Sequence, residues 1–241
     1  MKVLLTGASG GIGRAITMAL LERGVSVVAC CRALNPEYSS WIEAIPVDLR
    51  TSLYLETLDL SNVEVAELTI KGIVEKHEIQ GLVNNAATSV GSLFMMTSKQ
   101  TLKSTFEINF FSTIIVSQVV AKEMIKKKQG RIVNISSVSS NYSSRGFLAY
   151  GASKAALDYA TRIISEELAP YEICVNAVAP GLTETPMLRR MDGDSKEHYR
   201  NFSFSKRFSS PDEIANVVTY LLLDSPKQLT GKVIAIDGGM P

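Results

Sequence analysis

Tyr150 and Lys154 stand four residues apart, and of all the residues in this chain their types and spacing point most directly to proton chemistry. Residues at i and i+4 share one face of a helix. A free phenol has a pKa of about 10 and is a poor acid or base at neutral pH. A neighbouring ammonium favours the phenolate and lowers that value. Tyr150 so placed could give a proton to a carbonyl oxygen or take one from a hydroxyl. A second cluster suits phosphate. Thr6-Gly7-Ala8-Ser9-Gly10-Gly11-Ile12-Gly13 lies between an apolar run and an amphipathic one. Glycines allow the tight turn and let a pyrophosphate approach the backbone. The helix that follows offers free N–H groups and a positive dipole end. The spacing is G-x-x-x-G-x-G rather than the commoner G-x-G-x-x-G.

These residues need a scaffold, and the rest of the chain supplies one. Short runs rich in Val, Ile and Leu alternate with amphipathic runs from end to end. Strands are predicted at 2–6, 25–30, 53–58, 81–84, 131–135, 173–177 and 233–236. Helices are predicted at 13–23, 36–44, 63–77, 101–128, 152–169 and 211–222. Strict alternation implies an α/β fold with a parallel sheet, and unbroken apolar runs imply strands buried on both faces. The expectation is a single domain over residues 1–241, a Rossmann-type, doubly wound, seven-stranded parallel sheet. The stretch 184–210 lacks a strand, is polar, and is a candidate lid. Within it Phe202, Phe204 and Phe208 fit either a pocket wall or the core, and His198 is a candidate substrate contact or a surface histidine.

The second predicted strand ends in Cys30-Cys31-Arg32. Folds that take NAD place an acid there, on the ribose 2′-hydroxyl. An arginine suits a 2′-phosphate instead, so NADP(H) is expected in preference to NAD(H).

Taken together, these residues resemble the short-chain dehydrogenase/reductase family along the whole chain. Residues 6–13 match its T-G-x-x-x-G-x-G loop. Asn84-Asn85-Ala86-Ala87 is similar to its N-N-A-G motif, with Ala87 in place of the last glycine. Asn109, Ser137, Tyr150 and Lys154 match its catalytic tetrad in order and spacing. Pro180-Gly181 with Thr185 matches P-G-x-x-x-T, and Asp237-Gly238-Gly239 resembles the usual end. The resemblance implies an oxidoreductase interconverting a carbonyl and a secondary alcohol. It implies that Ser137 polarises the substrate oxygen, that Tyr150 moves the proton, that Lys154 also holds the nicotinamide ribose, and that Asn109 holds a relay water behind the lysine. Cofactor contacts are implied for Gly7, Ser9, Gly11, Ile12 and Gly13, for Asn85 and Ala86, and for Thr183 and Thr185 at the carboxamide. An acid after the third strand touches adenine in the family. Asp59-Leu60 leaves room for one helix before Asn84, whereas Asp48-Leu49 leaves a surplus, so Asp59 and Leu60 are chosen.

Within the family the pattern is most like 3-oxoacyl carrier-protein reductases, including Leu93-Phe94-Met95-Met96 and residues 207–215. Lys126-Lys127-Lys128 then fits either a helix C-terminus ended by Gly130 or a docking patch for an acyl carrier protein. Pro170-Tyr171-Glu172 lacks the second basic residue of those enzymes, which leaves a small free ketone, a keto-sugar or a secondary-pathway intermediate as alternative substrates. A non-catalytic dinucleotide sensor is the alternative of another class, though it would not need the tetrad. The resemblance implies dimers or tetramers; the apolar stretches 114–120 and 157–164 fit either such a face or the core.

Composition narrows the partners. Lys plus Arg is 25 and Asp plus Glu 24, a net charge of +1, without the basic excess that nucleic acid or an anionic membrane calls for. Hydrophobic residues make up 46% of the chain, as in a packed domain. Three cysteines, two of them adjacent, form no disulfide framework or metal motif. No continuous apolar run reaches the ~18 residues of a membrane helix, and the glycines at 7–13 cut short any leader. A cytoplasmic protein without metal is the expectation.

Overall fold

Val3 and Leu5 of β1 (Lys2–Thr6) join one apolar cluster, while Leu4 between them joins another. Side chains alternate between the faces of a strand, so β1 is buried on both. A computed structural model of the chain describes residues 1–143, 145–185, 188 and 193–240, apart from the side chains at 193–195, 198 and 199. Six further strands join β1 in one sheet: β2 (Ser26–Cys31), β3 (Leu53–Thr57), β4 (Gly81–Asn84), β5 (Gly130–Ile135), β6 (Ile173–Pro180) and β7 (Val233–Ile236). All pairings are parallel, in the order β3-β2-β1-β4-β5-β6-β7. The expected doubly wound sheet is therefore present.

Helices α1 (Gly11–Glu22), α2 (Pro36–Glu43) and α9 (Pro211–Leu223) cover the face of Val3 and Leu5. Helices α4 (Val63–Lys76), α6 (Ser112–Lys127) and α7 (Leu148–Leu168) cover the face of Leu4. Chain order reverses between β1 and β4, and in such sheets the crevice outside the carboxyl ends at that point receives the ligand. The glycine loop follows β1, and Asn85 follows β4.

A buried polar ladder fixes this half of the sheet. Asn84 Nδ2 donates to Asn134 Oδ1 at 2.8 Å and to Ser117 Oγ at 2.9 Å, and Asn134 Nδ2 donates to Thr161 Oγ1 at 2.9 Å. The ladder ties β4 and β5 to α6 and α7, and such networks set one register when satisfied.

Three local departures from the sequence expectation bear on the site. The helix predicted over 101–128 runs from Lys99 to Lys127 but is interrupted: α5 (Lys99–Phe106) passes into a π-helical turn, Glu107–Phe111, before α6. Asn109 is on that turn. The helix ends at Lys127, with Lys128 left-handed at φ 51°, while Gly130 opens β5 instead of ending the helix. Helix α7 begins four residues earlier than predicted, which puts Tyr150 in its first turn. The run from Lys99 to Lys127 is long and apolar enough to cross a membrane, with mean hydropathy 1.3 over 18 residues, yet half of that window is buried in the protein. Val116, Val120 and Met124 pack it on the sheet as a core helix.

The turn α3 (Val47–Arg50) has no counterpart among the predicted elements. The lid stretch contains α8 (Gly193–Phe202). Most of 186–192 and the His198 side chain lie outside the described residues.

Candidate active site

Two glycines let the loop after β1 close on its neighbours. Gly7 has φ 65°, and a Cβ there would lie 2.7 Å from Ala86 Cα. A Cβ on Gly13 would lie 2.3 Å from the Gly7 carbonyl oxygen. Asn85 locks the approach: its Nδ2 donates to the carbonyls of Thr6 (3.1 Å) and Gly7 (2.9 Å). The Thr6 hydroxyl accepts from the backbone N–H of Asn85 and of Ala86. The Asn85 amide thus acts on the loop itself. Helix α1 starts at Gly11 behind Gly10, and no side chain caps it, whereas Asn35, Asn62, Ser98 and Ser210 cap four other helices. Its first-turn N–H groups are left without a side-chain cap, an arrangement that fits the pyrophosphate of a dinucleotide.

The residues expected at the nucleoside end sit beside β2 and β3. Arg32 follows β2, is exposed, and makes no ion pair among the described residues. Asp59 and Leu60 follow β3: Asp59 Oδ1 accepts from the Ser61 N–H, and the Leu60 carbonyl accepts from Ser112 Oγ at 2.8 Å. Asp48 is in α3, before β3 begins, at the wrong end of the sheet. Arg14, passed over in the sequence, borders the same loop. Its Nε donates to the Ser9 carbonyl at 2.9 Å, its guanidinium lies over the rings of Tyr38 and Trp41, and it pairs with Glu37 at 2.9 Å. A basic residue directly after the glycine loop was the available signal.

Ser137, Tyr150 and Lys154 converge beyond the end of β5. Ser137 Oγ accepts from the Ser139 N–H at 3.1 Å and faces the Tyr150 phenol. Burial pushes the phenol above its usual pKa, and the Ser137 contact opposes that rise. Burial outweighs any lowering expected from Lys154. Lys154 is 2% exposed, its Nζ donates to the Ile135 carbonyl at 2.6 Å and sits 5.9 Å from the Tyr150 ring centre. Burial instead pulls Lys154 itself down to about 8, and the negative charge of Asp158 opposes the fall.

Asn109 is fully buried. Its Oδ1 accepts from the Thr88 N–H at 2.8 Å, and its Nδ2 donates to the Thr88 carbonyl and to Ser153 Oγ. None of these bonds reaches Lys154; the amide clamps the loop after β4 to α7.

Beyond β6, Thr183 bridges Ser209, and Thr185 Oγ1 donates to the Thr183 carbonyl at 3.3 Å. Leu182, Arg207, Phe208, Asp237 and Met240 line a small cavity there. Phe202 and Phe204 are exposed rather than core, and Phe202 meets Tyr142 edge-on. Tyr142 donates to the Met240 carbonyl at 2.7 Å, tying the chain end to the loop of Ser137.

Two lysines of the basic cluster are paired, Lys126 with Glu123 and Lys127 with Glu78, while Lys128 makes no ion pair among the described residues; Glu172 pairs with Lys227. His77, at the end of α4, places Nε2 3.1 Å from Glu56. Cys30, Cys31 and Cys174 are buried free thiols, and among the described residues no group of three metal-ligating side chains forms.

Comparison with known proteins agrees with this geometry. A family model described as short chain dehydrogenase matches residues 1–196. The chain is 34% identical over 238 residues to a 3-oxoacyl-[acyl-carrier-protein] reductase FabG of Thermotoga maritima, covering 98% of this chain and 96% of the relative. It is 35% identical over 241 residues to an L-xylulose reductase of Caenorhabditis elegans, covering 99% and 94%. Among solved structures, "ElxO with NADP Bound" superposes with a TM-score of 0.89 at 26% identity, covering 99% and 98%. With a glycine loop suited to phosphate at one end of the crevice and a Ser–Tyr–Lys group, its lysine buried, at the other, the chain belongs to the short-chain dehydrogenase/reductase family of oxidoreductases that act on secondary alcohols and ketones.

Proposed function

We propose that this protein is an NADP(H)-dependent carbonyl reductase in which Tyr150 is the proton donor, Ser137 orients the substrate oxygen, and Lys154 stabilises the phenolate that Tyr150 leaves behind. The observation that carries this is the Ser137–Tyr150 contact beside a buried lysine at the carboxyl edge of the sheet. The dinucleotide supplies the hydride when bound. Ser137 is held by the Ser139 N–H, so its hydroxyl is set before substrate arrives, which is preorganisation. Asn109 keeps Thr88 and Ser153 in place and so fixes the wall opposite Tyr150. The glycine loop with Ser9, Gly11 and Ile12, the segment at Asn85 and Ala86, and Asp59, Leu60, Thr183 and Thr185 form the nucleotide trough.

A 3-oxoacyl thioester is the leading substrate class, by likeness to the Thermotoga relative. A small free ketone or keto-sugar is the second reading, favoured by the ion pairs that engage Lys126 and Lys127 and by Glu172 where the carrier-protein reductases have a basic residue. Loss of free positive charge weakens steering of an acidic carrier. Assembly as a dimer or tetramer and residence in the cytoplasm complete the proposal.

Titration with NADPH and NADH side by side tests the cofactor assignment. Wild type binds NADPH more tightly. Arg32→Asp weakens NADPH by about 10- to 100-fold, the loss of one charge-assisted phosphate contact plus a new repulsion, and leaves NADH within about threefold. Tighter NADH binding by wild type overturns the preference. Turnover of the reductase with 3-oxoacyl thioesters, but not with free ketones, then decides between the two substrate classes.

A further inference from the structure

Asp158 is a buried acid for which the mechanism above has no use. It lies on α7 one helical turn beyond Lys154 and is 7% exposed. Its Oδ1 has no hydrogen-bond partner. A buried carboxylate without a direct partner is costly, and each such group in a native structure calls for an explanation. Lys154 has the complementary difficulty: a buried ammonium whose one hydrogen bond goes to a neutral carbonyl. Spacing of i and i+4 puts their Cβ atoms about 6 Å apart on one helix face, with no direct ion pair between them, so any coupling acts through space.

On α7 itself Tyr150 lies one turn before Lys154, and the exposed Arg162 lies one turn after Asp158. Among the described residues, the charges on the neighbouring elements are engaged elsewhere or exposed. Strand β5 carries Arg131 at its far end, bonded to Ser225 and the Leu221 carbonyl. Strand β6 carries only Cys174, also at its far end, and the turn Val138–Ser140 carries no ionisable group. Helix α5 carries Lys99 and Lys103, both exposed, and the π turn carries Glu107, whose Oε1 is taken by the Val63 N–H. The short turn after α7 carries Tyr171.

We infer that Asp158 is a positioning residue that acts through Lys154, holding it in the ammonium form on which Tyr150 depends. The role rests on the catalytic assignment above. The electrostatics agree in direction, since Asp158 is the one charge that counters the effect of burial on Lys154.

Asp158→Asn keeps the side chain's shape and removes its charge. In protein carrying 13C-lysine, the Lys154 resonance, identified by its loss in Lys154→Met, should titrate about one pH unit lower in Asp158→Asn than in wild type. The alkaline fall of kcat should move down by the same amount. Near pH 8 that is up to a tenfold loss, with kcat at about pH 6 changed less than twofold. Asp158→Glu, which restores the charge, should return both midpoints toward wild type. An unmoved Lys154 midpoint in Asp158→Asn overturns the inference, as does an equal displacement in Asp158→Glu, which would mark a packing effect. The resonance needs no turnover. If wild type reduced no carbonyl, the catalytic proposal would fall while the lysine titration would still decide the role of Asp158.

Discussion

Tyr150→Phe should lower kcat by about 10³-fold, within the range general acid catalysis supplies, and leave the NADPH Kd within about twofold. The phenol is buried against Ser137 and carries no backbone or loop, so removing one oxygen deletes the proton donor and little else. The ring keeps its edge-on contact with Phe147 at 6.4 Å. Stopped-flow single turnover checks the chemical step, and fluorescence titration checks the cofactor. Turnover surviving in Tyr150→Phe would move the acid elsewhere, and Ser137 would be the first place to look.

Lys154→Met should abolish turnover and at the same time stabilise the cofactor-free protein at neutral pH. The fold pulls Lys154 from 10.5 to about 8. At about 1.4 kcal/mol per unit, keeping an ammonium in that place below pH 8 costs about 3 kcal/mol. Between 8 and 10.5 the unfolded chain binds the proton that the folded chain has released, so wild-type stability rises with pH across that window, and above it the cost is gone. Methionine carries no charge and avoids the cost but leaves the Ile135 carbonyl without its donor, worth about 1 kcal/mol. The net expectation is a gain of about 2 kcal/mol below pH 8 that shrinks to nothing, or reverses, above pH 10.5. Urea unfolding across that range measures it. A variant less stable than wild type at pH 7 would mean that the lysine's bond outweighs its desolvation.

Much of this was legible before any coordinates. Seven strands fell within a few residues of their predicted places: the inner five are buried, continuous apolar runs, the part-exposed edge strands β3 and β7 are still rich in Leu, Ile and Val, and the glycine loop marks the first strand-to-helix turn. Side-chain direction was not legible. Spacing puts Tyr150 and Lys154 on one helix face but cannot say that Nζ turns to the Ile135 carbonyl. Charge runs mislead similarly: Lys127 is neutralised by Glu78, 49 residues away in the chain. The π turn left no trace in hydrophobic periodicity, since it is held by contacts of Asn109 with Thr88 and Ser153, from two other segments.

A π turn carries one more residue than the regular helix it interrupts, and that bears on how the gene can vary. Loss of a single codon within 107–111 would heal the helix. Most deletions inside a helix shift a buried face out of register; here a deletion would put α5 and α6 onto one uninterrupted hydrogen-bond ladder while carrying the amide of residue 109 away from Thr88. Such a protein should fold, keep its circular dichroism and melting temperature within a few degrees, and lose catalytic efficiency. It would be a null allele hidden behind normal abundance, found by assay and missed by any screen for instability.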